Sequence, residues 1–261
     1  MTLPWTLQLA AAAALCLLTM AGLWDLQRRT RNATSVDAGW ALLIATAALW
    51  YGITGPGDPG RRWLAAGLGT AWGLRLGLHL LITRVLKETH EDGRYAAMRA
   101  HWGEQANRQF VWFYAAQATA ALVFSLPFLA LSHDPRPLVP SDAIAGAWWL
   151  TTLSLVWLSD HQLARWRKDP ANRGKTCTAG LWRYSRHPNY FFEWLHWFAY
   201  ALLAWGGPAQ WYVLGAPFVL LVLLLFVTGI PYTERRAVVT RPDYADYQRR
   251  TSAFVPWFPK T

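Results

Sequence analysis

The sequence predicts an all-α fold, a polytopic bundle of about seven membrane-crossing helices forming one integral membrane domain over residues 1–261. Three observations predict it. Apolar residues come in runs close to the ~20 needed to span a bilayer, at 4–24, 37–54, 62–86, 109–132, 142–162, 190–206 and 210–231. Aromatic residues sit at the ends of several runs, among them Trp5, Trp24, Trp50, Trp112, Trp148, Trp149, Trp205 and Trp211, as interfacial belts require. Lys and Arg also gather on alternate connections between the runs. A stretch such as LQLAAAAALCLLTMAGL has no polar stripe, so a soluble helical core is excluded.

The charge asymmetry sets the expected orientation. One side holds Arg28, Arg29 and Arg31, then Arg84, Lys87, Arg94, Arg99 and Arg108, then the cations of 160–193, then Arg235, Arg236, Arg241, Arg249, Arg250 and Lys260. The other holds Arg61, Arg62 and Arg136, and Arg75 lies within a run. By the positive-inside rule the basic side is cytoplasmic, with the N-terminus outside and the C-terminus inside a bacterial inner membrane. The net charge of +10 is therefore a topological signature, and no nucleic-acid partner is expected. The first run lacks a cationic leader and a small-residue cleavage site, so it reads as a retained helix. Cys16 falls in a run and Cys177 in a basic loop, which excludes a disulfide between them.

Taken in order, Asn32, Thr34 or Ser35 can cap the second helix, placing Asp37 in its first turn, where a carboxylate complements the dipole. ITGPGDPG is a tight turn. The third helix carries Ala65, Ala66, Gly67, Gly69, Ala71, Gly73 and Gly77, small enough for close packing. Arg75 and His79 share one of its faces, and ionisable groups at that depth are expected to line a cavity. The polar stretch 87–109 becomes an amphipathic helix after Asp92. Glu88, His90, Glu91 and Asp92 read as a solvated acidic face; without paired His or Cys spacing no metal site is expected. The fourth long helix is expected to end near Pro127.

The most informative stretch is 160–193, DHQLARWRKDPANRGKTCTAGLWRYSRHPNYFFE. Arg165, Arg167, Lys168, Arg173, Lys175, Arg183, Arg186 and His187 lie between two apolar runs. Asp160 and Arg167 are seven apart and Asn189 and Glu193 four apart, so each pair shares a helix face. Two helix ends joined by a basic loop suit a multiply charged anion, Arg forks for phosphate and amide or carboxylate groups for a nucleotide. Binding of anionic lipid by the same cations is the alternative. The aromatic tail DYADYQRRTSAFVPWFPK is expected to fold over the loop 163–188.

GLWRYSRHPNYFFE, the tail and the run of apolar helices resemble the steroid 5α-reductase superfamily, over roughly the C-terminal 40% of the chain. The resemblance implies NADPH, bound by Asp160, Arg167, Asn189 and Glu193, with Tyr184, Arg186, His187 and Tyr190 near its phosphates or nicotinamide. Lys168 and Arg173 in the basic loop, and Arg235 and Arg236 from the tail, complete the expected set. On that reading residues 142–261 hold the cofactor and 1–132 the lipid or steroid-like substrate, whose polarised carbon–carbon double bond accepts hydride. The N-terminal half departs from that family, having no Gln-Glu pair on the second helix and no Tyr on the third. Tyr51, His79 and Asp37 are the available proton donors or anchors. RHPNY and Glu234 are also similar to the isoprenylcysteine carboxyl methyltransferases, implying S-adenosylmethionine instead. The dense cations favour the dinucleotide over a cofactor with a positive sulfonium. A non-catalytic lipid-binding protein is the third reading; it leaves Asn189 and Glu193 unexplained at the start of an apolar span.

Overall fold

The computed structural model describes residues 2–260, and among them every regular element is helical. Among the described residues five stretches are long and apolar enough to cross a membrane: Trp5–Thr30, Ser35–Thr54, Pro59–Leu86, Gly93–Ser132 and Gln210–Thr240. Leu18, Trp112, Phe218 and Phe226 are largely exposed, which is costly in water and ordinary against lipid. The chain is an integral membrane protein whose apolar helices contact lipid.

It packs as two units, residues 1–138 with 203–213, and residues 139–202 with 214–261. The first holds α1 (Trp5–Thr30), α2 (Ser35–Thr54), α3 (Pro59–Leu80), α4 (Gly93–Trp102) and α5 (Ala106–Ser132). Helices α2 and α3 make the most intimate pair, because small residues face one another. A Cβ added at Gly73 would come within 2.7 Å of the Ala41 carbonyl oxygen and 2.8 Å of the Ala45 Cβ; one at Gly52 would meet the Ala66 Cβ at 2.4 Å. Beyond Leu80 the helix widens into a looser turn over Leu81–Leu86.

Several local expectations are corrected. Pro127 lies inside α5, which continues to Ser132; a single proline removes one backbone donor, and a packed membrane helix tolerates that loss. The Thr34 hydroxyl does not cap α2 but accepts from the Asp92 N–H at 2.8 Å. Nor are Glu91 and Asp92 a solvated face. Glu91 accepts from the Ala33 N–H at 2.8 Å and from Arg99 at 2.8 and 3.1 Å, and Asp92 caps α4 and pairs with Arg94.

At the opposite end of this unit the cations Arg61, Arg62 and Arg136 bind the chain itself. Arg61, 2% exposed, donates to the carbonyls of Arg136 at 3.0 Å, Pro137 at 3.1 Å and Leu203. Arg136 forks onto Asp134 at 2.6 and 2.9 Å, and Arg62 reaches the Gly55 carbonyl. A guanidinium can satisfy several carbonyls that leave helix ends where little water reaches.

The second unit holds α6 (Asp142–Lys168), α7 (Pro188–His196), α8 (Phe198–Ala204, whose last two residues fall in the first unit), α10 (Gly215–Val222), α11 (Ile230–Thr240) and α12 (Tyr244–Arg250); the short α9 (Gln210–Val213) belongs to the first unit. The run 190–206 is not one helix. At Trp197 the pattern tightens to three-residue bonds, Trp197 N–H to the Trp194 carbonyl and Tyr200 N–H to that of Trp197. The run 210–231 is likewise interrupted, between α9 and α10 and by a wide turn over Leu223–Val227.

Gly73→Val should lower stability by about 2 kcal/mol through overpacking, read as a lower midpoint in detergent thermal unfolding. Gly67→Ala, where an added Cβ meets nothing within 4 Å, should leave the midpoint unchanged or raise it slightly.

Candidate functional site

Helix α6 runs unbroken from Asp142 to Lys168, so Asp160 and Arg167 lie on one face of one helix, about 10 Å apart along its axis. It stops where Asp169 and Pro170 begin a tight turn, the Asp169 carboxylate accepting from the Ala171 N–H at 2.9 Å. The chain re-enters a helix at Pro188, the residue whose fixed φ and missing N–H suit a first turn. There Asn189 donates from Nδ2 to Asp160 Oδ1 at 3.0 Å. This bond ties the start of α7 to α6 about two turns before that helix ends, bringing together two of the residues singled out by spacing.

The loop between them is fastened at both sides. The Leu181 N–H donates to Gln162 Oε1 at 2.9 Å, and the Trp182 indole to the Ser159 carbonyl at 2.9 Å. Gly180 is required at the first clamp: its φ is +59°, and an added Cβ would meet the Gln162 amide at 2.5 Å. On the other side the N–H and hydroxyl of Thr176 donate to Asp243 at 2.8 and 2.7 Å. The tail does fold onto this segment: the Arg186 N–H meets the Ser252 carbonyl at 2.8 Å, the Trp257 N–H that of Tyr184 at 2.8 Å, and the Ser185 hydroxyl that of Phe254 at 2.8 Å.

A second cluster centres on Glu234 of α11. Its carboxylate accepts from Arg186 Nε at 2.6 Å and Nη2 at 3.2 Å, and from Gln248 Nε2 at 2.8 Å. His187 Nε2 lies 3.2 Å away, its ring stacked on Tyr190 at 5.3 Å. Arg186 also donates from Nη1 to the carbonyls of Gln248 and Thr251 at 2.9 and 2.6 Å. Arg186 is thus largely committed inside the protein, holding α11 and α12 to the RHPNY segment. Sequence reasoning missed this role, because a charge count does not say which cation meets a carboxylate forty-eight residues away.

The other predicted residues divide by exposure. Asp160, Arg167, Lys168, Arg173, Arg235 and Arg236 are exposed, while Tyr184, Asn189, Tyr190 and Glu193 are half-buried. Tyr184 packs edge-on against Phe258. Glu193 lies 3.6 Å from His196, which is fully buried and one turn further along α7.

The three candidate proton donors do not form one cluster. Asp37 and Tyr51 lie on α2 fourteen residues apart, about 21 Å by helical rise. Asp37 accepts from Arg94 at 2.5 Å and from the Tyr95 hydroxyl at 2.6 Å. Tyr51 is fully buried with its hydroxyl 3.2 Å from Ser125 Oγ. His79, at the end of α3, is exposed and lies toward the Asp37 end, since Gly77 packs beside Leu42 and Ala38.

The loop carries its own titration. Burial pushes the Asp243 carboxyl up, but the hydrogen bonds from the Thr176 N–H and hydroxyl outweigh it and hold the group below the usual carboxylate range. Beside it, burial pushes the Cys177 thiol up.

These features define a helical integral membrane protein with a cation-rich loop fastened between two helix ends. The chain belongs to the family described as protein of unknown function (DUF1295), whose model matches residues 23–251. Comparisons with curated proteins and with solved structures gave no match.

Because the Asp243 carboxyl is depressed in the folded state, its contribution is complete above the unfolded carboxylate pKa and lost as pH falls through the folded one. Hydrogen exchange at the Thr176 amide, corrected for intrinsic rates, should stay protected at neutral pH and lose protection below the ordinary carboxylate range. Asp243→Ala should lose it at every pH.

Proposed function

We propose that the protein is an NADPH-dependent membrane reductase of the steroid 5α-reductase kind, transferring hydride to a polarised carbon–carbon double bond of a lipid or steroid-like substrate. The observation that carries this reading is the Asp160–Asn189 hydrogen bond, which joins the start of α7 to α6, with Arg167 and Lys168 exposed in the last turn of α6 and Arg173 exposed on the loop that follows. Exposed guanidinium and ammonium groups fit the phosphates of a dinucleotide, and the amide–carboxylate pair fits the hydroxyl and amide groups of its nucleoside portions. Arg235, Arg236, Tyr184, Tyr190, His187 and Glu193 complete the set proposed to hold it.

The proposed topology has seven spans, α6 and the interrupted α7–α8 segment being counted with the five apolar stretches. The N-terminus is outside and the basic loops, the C-terminus and the cofactor pocket are cytoplasmic, in a bacterial inner membrane. The dinucleotide, when bound, supplies the hydride. The chain's own part is to grip phosphate, orient the acceptor and exclude water in an apolar surround. His79 is the favoured proton donor of the three, because it is exposed while the Asp37 carboxylate and Tyr51 hydroxyl already have partners.

One observation favours the methyltransferase reading. Arg186 is neutralised by Glu234, which withdraws one cation from phosphate binding and removes a positive charge that a sulfonium would otherwise face. Thermal shift and calorimetry of the purified protein against NADPH, NADH and S-adenosylmethionine separate the two. The expected result is stabilisation by NADPH, with affinity falling about tenfold or more in Arg167→Ala and in Asn189→Ala while each variant stays folded in detergent. Stabilisation by S-adenosylmethionine alone selects the methyltransferase. Unchanged NADPH affinity in both variants overturns the reductase.

A further inference from the structure

The first unit contains a buried polar cluster in which donors outnumber acceptors. Gln27 of α1 is fully buried, and Tyr114 of α5 is 2% exposed. Arg99 of α4 lies between them in a chain of contacts. It donates from Nη2 to Gln27 Oε1 at 3.0 Å, and its guanidinium carbon sits 4.8 Å from the centre of the Phe110 ring. Phe110 in turn packs edge-on against Tyr114 at 6.3 Å.

Three buried atoms of this cluster have no hydrogen-bond partner among the described residues: Gln27 Nε2, Arg99 Nη1 and the Tyr114 hydroxyl oxygen. Each can donate a hydrogen bond, and they come from three different helices. Their neighbours do not use them. The Gln27 amide spends only its oxygen, on Arg99. Arg99 spends Nε and Nη2 on Glu91, at 3.1 and 2.8 Å. Buried donors of this kind are costly to leave unmet, most of all where hydrocarbon replaces water.

The charge balance sets the class of ligand. Glu91 already meets Arg99 through two hydrogen bonds, so an incoming carboxylate or phosphate would face the Glu91 charge at close range. An uncharged oxygen acceptor satisfies the donors without that repulsion. Depth narrows the choice further. Gln27 follows the apolar run 4–24 and Arg99 lies on the polar helix preceding the run 109–132. The cluster therefore sits where hydrocarbon gives way to the polar region, the level of lipid carbonyl groups. We infer that Gln27, Arg99 and Tyr114 form a binding site for the carbonyl oxygen of an uncharged amphiphile entering from the surrounding lipid. The site does not depend on NADPH or on the proposed reaction.

The test uses the full chain in nanodiscs of ether-linked lipid, which has no carbonyl of its own, titrated with a long-chain ketone carrying ¹³C at the carbonyl and without nucleotide. Infrared difference spectra should show a saturable fraction with its carbonyl stretch moved to lower wavenumber, and the matching alkane should not compete. Tyr114→Phe removes a hydroxyl that holds nothing in the protein, so it should melt at or above the wild-type temperature while binding the ketone about tenfold more weakly. Gln27→Leu should weaken binding similarly. A spectrum with no saturable shifted band in the wild type, or equal ketone binding by wild type and Tyr114→Phe, overturns the site and leaves the donors to ordinary buried water. The wild-type spectrum decides by itself if a variant does not fold. Because no nucleotide is present, either outcome is separable from the fate of the reductase reading.

Discussion

Hydrocarbon offers a polar group no water, and this constraint organises both units. Backbone donors and acceptors are consumed by helices, and side-chain polarity is pushed to the helix ends, where it must find partners within the protein. In the first unit one end is closed by Arg61, Arg62 and Arg136 on backbone carbonyls. The other is closed by Asp37, Glu91 and Asp92 against Arg94, Arg99 and Tyr95. Between these ends the α2–α3 contact is made through small residues, as the near-collision with Ala66 at Gly52 and with Ala41 and Ala45 at Gly73 demonstrates. Shape complementarity of small residues holds helices together where a hydrophobic driving force is absent.

In the second unit the same constraint acts through Glu234. One carboxylate gathers Arg186, His187 and Gln248, fixing α11, α12 and the tail to the segment that starts α7. Removing Arg186 or Glu234 would strand the other's charge, which is why such hubs specify geometry more than they add stability. The result is a division of labour among cations that look alike in sequence. Arg186 is inward and structural, whereas Arg167 and Lys168 are exposed at the end of α6 and Arg173 on the fastened loop. A ligand-binding surface needs both kinds, since outward charges grip only if the backbone beneath them is held.

Much of this was legible beforehand where the signal is local. The continuity of α6 through Arg167, the helix start at Pro188 and the small-residue face of α3 follow from spacing, from proline geometry and from side-chain size. Errors arose where a distant partner decided the outcome. Glu91 and Asp92 looked like a solvated face because Arg99 and Arg94 follow within the same polar stretch and could equally have pointed to water; folding α4 against α2 and α5 made them ion pairs. Pro127 looked like a terminus because isolated helices break there, yet neighbouring helices support the turn around it.

The sequence alone determined that the chain is helical and membrane-embedded, and which of its connections are basic. Those properties are sums over many residues, and hydropathy, aromatic placement and charge counts read them directly. Only the tertiary structure decided which of the cations are consumed internally, that Asp160 meets Asn189, that Tyr51 is remote from Asp37, and that Gln27, Arg99 and Tyr114 leave buried donors. Each of these depends on one atom finding another across a long stretch of chain. Periodicity fixes the face of a helix on which a residue lies, and the packing of helices fixes what that face meets.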